Sequence, residues 1–299
     1  MTVVVSGGSG FLGAALVRAL RADGERVVVL VRRAPQGEDE AFWDPAGGVL
    51  NPLVFDGVRA VVHLAGAGIG DRRWTAAYKA EILRSRVLGT RLMASTLAGL
   101  DEAQRPEALL SASGIHYYGD TGDRVVDESG PKGEGFLPDL VQRWEGEARR
   151  AAEAGIRVAL LRTALVLGLE GGSLPRFLPI FRVGLGAPLG SGRQWWSWIS
   201  LDDWVGAVRH ILKNEEISGP INLTSPEPVT NAEFTKALGR ALRRPTMPVP
   251  VPGFGLRATL GGFAQEGVLS GPRAVPRRLL ESGYVFRHKA LDAALSAVL

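Results

Sequence analysis

Directly behind the apolar run Val3-Val4-Val5, the chain reads Gly7-Gly8-Ser9-Gly10-Phe11-Leu12-Gly13. The run is a buried strand and the glycines are a turn. Leu12, Leu16 and Leu20 then mark one face of a following helix. This order restricts the fold more than any other stretch of the chain. Gly7 permits a tight turn, Gly10 lets the backbone approach a pyrophosphate, and Gly13 lets the helix lie close to the strand. The helix N-terminus, at Phe11 and Leu12, faces the phosphate charge. The bland alternative is a plain strand, loop and helix. The motif's place near the start of the sequence and a second strand at Val27 to Val31 favour a dinucleotide site.

That second strand selects the dinucleotide. Sites that prefer NAD carry an acid about 20 residues on, which holds the ribose 2′-hydroxyl. Here Val27-Val28-Val29-Leu30-Val31 ends in Arg32-Arg33, with no carboxylate at the tip. Two guanidinium groups suit a 2′-phosphate, which they clamp in bidentate fashion. The expected cofactor is NADP(H), held in part by Arg32 and Arg33. The alternative for the pair is a solvated basic turn.

With 299 residues, 45% hydrophobic and 22% charged, the chain suits one large or two ordinary domains. The absence of cysteine removes disulfides, thiolate nucleophiles and thiolate metal sites. The four histidines, at 63, 116, 210 and 288, lack metal-ligand spacing, so no metal is expected. Nothing reads as a secretory leader or as an apolar run long enough to span a bilayer. A cytoplasmic protein with no membrane partner is the expectation. The net charge of +4 is spread over arginines between apolar positions, which argues against nucleic acid as a partner.

Strands are expected near 2–6, 27–31, 59–64, 107–112 and 156–162, and helices near 11–23, 75–99 and 137–154. Such alternation gives an α/β fold, a Rossmann-type doubly wound parallel sheet with right-handed crossovers. Burial of both sheet faces accounts for runs such as Ala60-Val61-Val62-His63-Leu64. After residue 165 the texture changes, with frequent Gly and Pro over 168–192 and a strand near 220–224. Thr230-Asn231-Ala232-Glu233 is a capping-box pattern, and it opens a helix with Phe234, Leu238 and Leu242 on one stripe. Pro245, Pro248, Pro250 and Pro252 make the next stretch extended and irregular. The expected division is a dinucleotide-binding domain over 1–165, with its sheet completed by about 200–225. A smaller, interleaved C-terminal region over 166–299 covers the substrate.

Several blocks carry a resemblance. Leu64-Ala65-Gly66-Ala67 follows a strand, Ser111-Ala112-Ser113 precedes Tyr118-Gly119, and Leu161-Arg162-Thr163 precedes Gly168. With the glycine motif, these resemble the extended short-chain dehydrogenase/reductases. Arg73-Trp74-Thr75 is followed by Lys79, Ile82, Ser85-Arg86 and Thr90. Phe181-Arg182-Val183-Gly184-Leu185-Gly186 is followed by Gly190-Ser191-Gly192-Arg193-Gln194 and Trp198-Ile199. Asn231-Ala232-Glu233-Phe234 is followed by Arg244-Pro245, Arg273-Ala274-Val275-Pro276 and Gly283-Tyr284-Val285-Phe286. Together they resemble the atypical subgroup of YfcH-like or SDR39U1-like epimerase family proteins. Their C-terminal DUF1731 segment corresponds to about 247–296 here. The resemblance spans essentially the whole chain. It implies a Rossmann fold and NADP(H) binding, with Leu64, Ala65, Gly66, Glu81, Arg86 and Val166 beside the cofactor. It implies no settled substrate.

One departure matters. Typical members use Tyr-x-x-x-Lys, in which the lysine lowers the tyrosine pKa while a serine holds the substrate oxygen. The tyrosines here are at 78, 117, 118 and 284, and none has lysine four residues on. The helix expected to carry the pair reads Phe136-Leu137-Pro138-Asp139-Leu140-Val141-Gln142-Arg143-Trp144-Glu145. An unassisted tyrosine keeps a pKa of about 10 and is a poor base at neutral pH. The catalytic candidates left are Ser113 and Tyr118. Ser113 ends a strand at the edge where open α/β sheets bind ligands. It either holds a substrate oxygen or caps a turn. Tyr118 either donates to the same oxygen or packs at the sheet edge. His116 is either a further proton source near neutrality or, as a lone histidine more often is, a surface or satisfied residue. Arg193, Gln194 and Trp198 resemble a loop that closes over substrate. Trp195, Trp196 and Trp198 read equally as a hydrophobic plug between domains. Arg162, on a buried strand, must be paired.

The expected function is an NADP(H)-binding oxidoreductase acting on a small polar metabolite, either a carbonyl compound or a nucleotide sugar. The alternative is an NADP(H)-binding sensor or partner-binding protein without turnover. Monomer and homodimer both stay open.

Overall fold

The computed structural model describes residues 1–299. β1 (Thr2–Ser6) leads through the glycine turn into α1 (Phe11–Ala22). Then come β2 (Arg26–Val31), β3 (Glu40–Asp44), β4 (Val49–Leu50), β5 (Val58–His63) and α2 (Ala76–Ala98). They are followed by β6 (Ala108–Gly114), β7 (Val125–Val126), α3 (Phe136–Arg149), β8 (Arg157–Thr163) and β9 (Leu165–Leu167). Further on lie α4 (Leu174–Arg182), β10 (Trp195–Trp196), β11 (Trp198–Ser200), α5 (Leu201–Lys213) and β12 (Gly219–Leu223). The chain ends with β13 (Val229–Thr230), α6 (Asn231–Ala241), α7 (Gly253–Leu260), β14 (Arg273–Ala274), α8 (Arg277–Glu281) and α9 (Leu291–Val298).

Eight strands form one sheet in the order β12-β8-β6-β5-β1-β2-β3-β4, parallel except for the β3–β4 pair. The chain starts at β1, winds outward through β2 and β3, and returns to β5. It then winds the other way through β6, β8 and β12. Direction reverses between β1 and β5, and an open sheet leaves a crevice there above its C-terminal strand ends. Alternate residues of β1 enter different cores. Val3 and Val5 join Leu16 and Leu20 of α1 and Trp204 and Ile211 of α5. Val4 joins Met93 and Leu97 of α2 and Ala148 of α3. Both sheet faces are covered, so the central strands need no apolar/polar alternation. This is the doubly wound α/β fold expected from the sequence.

A third, smaller core gathers Leu174, Leu178 and Phe181 of α4, Trp198, Phe234 and Leu238 of α6, and Leu291 and Leu295 of α9. β12 and α5 come late in the sequence yet belong to the large sheet and its core. The capping box of α6 is present: Glu233 N donates to Thr230 Oγ1, and Thr230 N to the Glu233 carboxylate. The proline-rich stretch is extended and runs beside the loop after α4. Met247 N donates to Gly186 O and Val251 N to Pro188 O, both at 2.8 Å. No helix is long and apolar enough to cross a membrane.

Candidate functional site

The glycine turn is built on backbone contact. Gly7 has φ +72°, and a Cβ there would lie 2.9 Å from Ala65 N. A Cβ at Gly13 would lie 2.1 Å from the Gly7 carbonyl oxygen, so helix start and turn touch directly. At Gly10 the added carbon meets only Gly7 O, at 3.3 Å, and the outer side is open. α1 has no side-chain cap and no acid in its first turn. Free N–H groups beside open space are what a diphosphate requires, so the turn fits a dinucleotide. The loop between β9 and α4 grips the Phe11 ring. A Cβ on Gly168, Gly171 or Gly172 would come within 2.7, 2.8 or 3.2 Å of it. Arg18 and Glu170, 2.7 Å apart, tie that loop to α1, while Leu12 and Val166 line the core beneath.

At the tip of β2 the expected pair of free guanidinium groups is corrected. Arg33 donates to both carboxylate oxygens of Glu40, at 2.7 and 2.6 Å. The bond from Arg33 and a second one from Gln36 N hold the Glu40 carboxyl below its usual range. Glu40 reaches the tip because β3 pairs with β2, opposing Glu40 to Val29. Arg32 is left exposed, with no carboxylate partner.

The loop after β5 closes the other side. Leu64 N and Ala65 N donate to Ser6 Oγ at 3.2 and 3.4 Å. Arg86 lies beneath this loop. Its Nη1 donates to Ala67 O at 2.8 Å, its guanidinium sits 5.0 Å from the Trp144 ring, and a Cβ on Gly66 would touch it at 3.4 Å. No carboxylate balances it, and burial pulls its pKa down to about 10. Arg86 therefore braces the 64–67 loop from within the fold. Glu81 stands apart on an exposed face of α2, 3.7 Å from Arg72.

The two catalytic candidates belong to one buried network. Ser113 Oγ donates to Glu145 Oε1 at 2.7 Å. Glu145, fully buried on α3, also accepts from Arg162 Nε and Nη2 at 2.8 and 3.0 Å and from Arg149 at 3.1 Å. A carboxylate between two guanidinium groups only accepts. The serine proton is thus committed, and Ser113 turns lone pairs, not a donor, toward the strand end. Tyr118 is corrected as a free donor. It is 1% exposed, donates to Asn222 Oδ1 at 2.8 Å and accepts from Arg162 Nη1 at 2.9 Å. Burial pushes its pKa up to about 12, against the pull of Arg162. Burial likewise draws the His116 imidazole down to about 4. Arg162 is paired as its strand position required. Burial opposes its charge, and the Glu145 hydrogen bonds outweigh that and hold its pKa above the ordinary value. Sequence reasoning missed Glu145 and Asn222 as parts of the site. The available signal was an acid on the buried stripe Leu137, Leu140, Val141, Trp144.

The loop near 190 is a junction. Gln194 Nε2 donates to Leu189 O and Val268 O, and Trp196 Nε1 also to Val268 O. Trp195 Nε1 reaches Asp123 at 3.0 Å. Trp198 is corrected as a substrate contact: it is fully buried in the third core and donates to Glu227 O. Arg193 alone of the three loop candidates keeps an exposed head group. A π-helical turn at Ala264–Val268 straps this loop to α3, where Glu266 accepts from Leu137 N at 2.8 Å.

Known proteins resemble this chain in sequence and fold. The model described as NAD dependent epimerase/dehydratase family matches residues 3–223, and the domain of unknown function DUF1731 matches residues 251–298. Epimerase family protein Mb2239 of Mycobacterium bovis is 46% identical over 98% of this chain and 96% of its own. Epimerase family protein SDR39U1 of Bos taurus is 37% identical over 100% of both. The crystal structure of human epimerase family protein SDR39U1 (isoform 2) with NADPH matches with a TM-score of 0.89 at 34% identity, over 100% of this chain and 99% of that one. The first of these matches runs through the glycine turn, the 64–67 loop, the Ser113 strand end and on to β12, and on that extent the chain belongs to the NAD dependent epimerase/dehydratase family.

Proposed function

We propose that this chain is an NADP(H)-dependent oxidoreductase acting on a small polar metabolite, a carbonyl compound or nucleotide sugar. In this reading Ser113, fixed by Glu145, holds the substrate oxygen. The human relative was crystallised with NADPH. Here the uncapped helix start, the open side of Gly10 and the unpaired Arg32 supply what that cofactor's phosphates need. When bound, NADP(H) supplies the hydride chemistry. The observation that carries the reading is the 2.7 Å bond from Ser113 to a fully buried carboxylate at a C-terminal strand end. With its proton given to Glu145, Ser113 Oγ accepts a hydrogen bond from a substrate hydroxyl and orients it. The serine proton stays on Oγ in its bond to Glu145, which the two guanidinium groups keep as an acceptor, so the pair positions the substrate hydroxyl and takes no proton from it.

A second reading, an NADP(H)-binding sensor without turnover, is favoured by the pinned Tyr118 phenol and the neutral His116. One measurement tests the cofactor that both readings share, and a second separates them. Calorimetric titration should show tighter binding of NADPH than NADH. Arg32→Asp should weaken NADPH by about 1–3 kcal/mol, the scale of a charge-assisted bond. Equal affinities for the two cofactors remove the NADPH preference. A turnover screen over alcohols, aldehydes and nucleotide sugars then decides between enzyme and sensor. Tight NADPH binding with no turnover in any class favours the sensor.

A further inference from the structure

Two tracts of this chain carry no acidic residue: one between Glu170 and Asp202, the other between Glu233 and Glu266. The fold lays them side by side. Met247 N and Val251 N bond to Gly186 O and Pro188 O, and Pro245 packs where a Cβ on Gly184 would meet it at 3.3 Å. The cations Arg182, Arg193, Lys236, Arg243, Arg244 and Arg257 are exposed on these tracts, and none has a carboxylate within salt-bridge distance. Two other cations there are neutralised, Arg176 by Asp71 and Arg240 by Asp292. Between the free cations stand bare aliphatic and aromatic side chains. Phe254, Val249 and Val183 are 74%, 69% and 68% exposed, and Leu185, Ile180 and Met247 lie beside them in sequence. α7, which carries Phe254, buries none of its residues.

We propose that this face docks on an anionic lipid surface. Free cations around projecting apolar side chains match headgroups and the acyl boundary beneath them. Nucleic acid would use the charge and leave the apolar side chains unsatisfied. A second copy of this chain would set the same cations against each other. The absence of a spanning helix bears on crossing a bilayer and not on resting against one. The face adjoins the junction that Gln194 and Trp196 make with Val268. Docking therefore brings the strap of the cleft to the lipid. The proposal is independent of the hydride reading.

The test is flotation of the purified full chain with phosphatidylcholine vesicles, with and without phosphatidylglycerol, at low and high salt. The expected result is co-flotation with the anionic vesicles at low salt and none with the neutral ones. Lys236→Glu with Arg244→Glu, and separately Val249→Ser with Phe254→Ser, should each lower the bound fraction at least about tenfold. All four positions are exposed, and an unchanged melting midpoint and NADPH affinity confirm that the variants are folded. No flotation with anionic vesicles overturns the proposal, as does flotation that both double variants leave intact. A dimer dissolved by the same substitutions assigns the face to a second copy and overturns it. Binding to poly-glutamate beads without flotation assigns it to an acidic protein, with the same consequence.

Discussion

Glu145 carries more of the site's burden than either residue the sequence put forward. It anchors Ser113, neutralises the buried Arg162, and through Arg162 fixes Tyr118. Glu145→Ala leaves a buried guanidinium without counter-charge, which costs about 3–5 kcal/mol. Tyr118→Phe removes one hydrogen-bonding hydroxyl and should cost about 1 kcal/mol. Denaturant unfolding of both variants checks this, and a Glu145→Ala protein as stable as Tyr118→Phe would refute the charge argument. Where a substrate is found, Ser113→Ala should lower the rate by about 10²–10³, the scale for one positioned group. Tyr118→Phe should do less, because its hydroxyl reaches Asn222 and not the cleft. That Arg162 needed a partner was legible from a charge on an apolar strand. Which partner was not, because Glu145 lies 17 residues away on the helix before that strand. Only the packing of α3 on the sheet joins them.

The elements read most accurately from sequence are those whose signals are local. The glycine turn, α1 and the capping box of α6 each follow from a few neighbouring residues. β9 and β11 escaped because such short strands exist only by pairing with each other from far apart in the sequence, Trp198 opposite Leu165. β3 and β4, a local hairpin, escaped because Glu40–Asp44 is not an apolar run. α3 was read too long. It ends at Arg149, and a 3₁₀ turn at Ala152–Ala154 follows before Gly155 at φ +83°. Two glycines of the first turn should separate folding from binding. Gly13→Ala puts a carbon into the Gly7 backbone, which cannot swing aside, and should destabilise by about 1–3 kcal/mol or more. Gly10→Val meets only one atom of the fold and should melt near the parent, while its methyls fill the pyrophosphate space and abolish NADPH binding. Melting curves and calorimetric titration read the two effects. A folded Gly10→Val protein with parental affinity would mean that the pyrophosphate lies elsewhere.

On the scale of the whole molecule, one buried histidine ties the layers together. His63, at the end of β5, is fully buried, with Nδ1 2.6 Å from Ser6 Oγ of β1 and Nε2 3.0 Å from Thr90 Oγ1 of α2. Trp144 of α3 donates to the same Thr90 oxygen. The sequence showed His63 only as one member of an apolar run, since its two partners come from separate elements, β1 and α2. Burial lowers its pKa from 6.5 to about 4. The unfolded chain therefore binds a proton that the folded chain refuses between those values. Stability is full above pH 6.5 and falls as the pH drops through the window, by about 2 kcal/mol at pH 5 for one such group. His116 shifts in the same direction and deepens the loss. Glu40, Asp127 and Glu147, whose pKa values are lowered by their hydrogen bonds, lose stability only below the ordinary carboxylate range, while Glu128, raised by burial, gains as the pH falls and works against the imidazoles. Urea unfolding at pH 7, 6 and 5 measures the slope, and His63→Gln should remove its share. A stability that is flat from pH 7 to 5 would show that His63 accepts a proton in place. The 64–67 loop hangs from the same Ser6 oxygen, so acid that charges His63 loosens the wall of the cofactor crevice. Saturating NADPH should raise stability from pH 7 to 5, where folded His63 is still neutral, and leave the slope over that range unchanged.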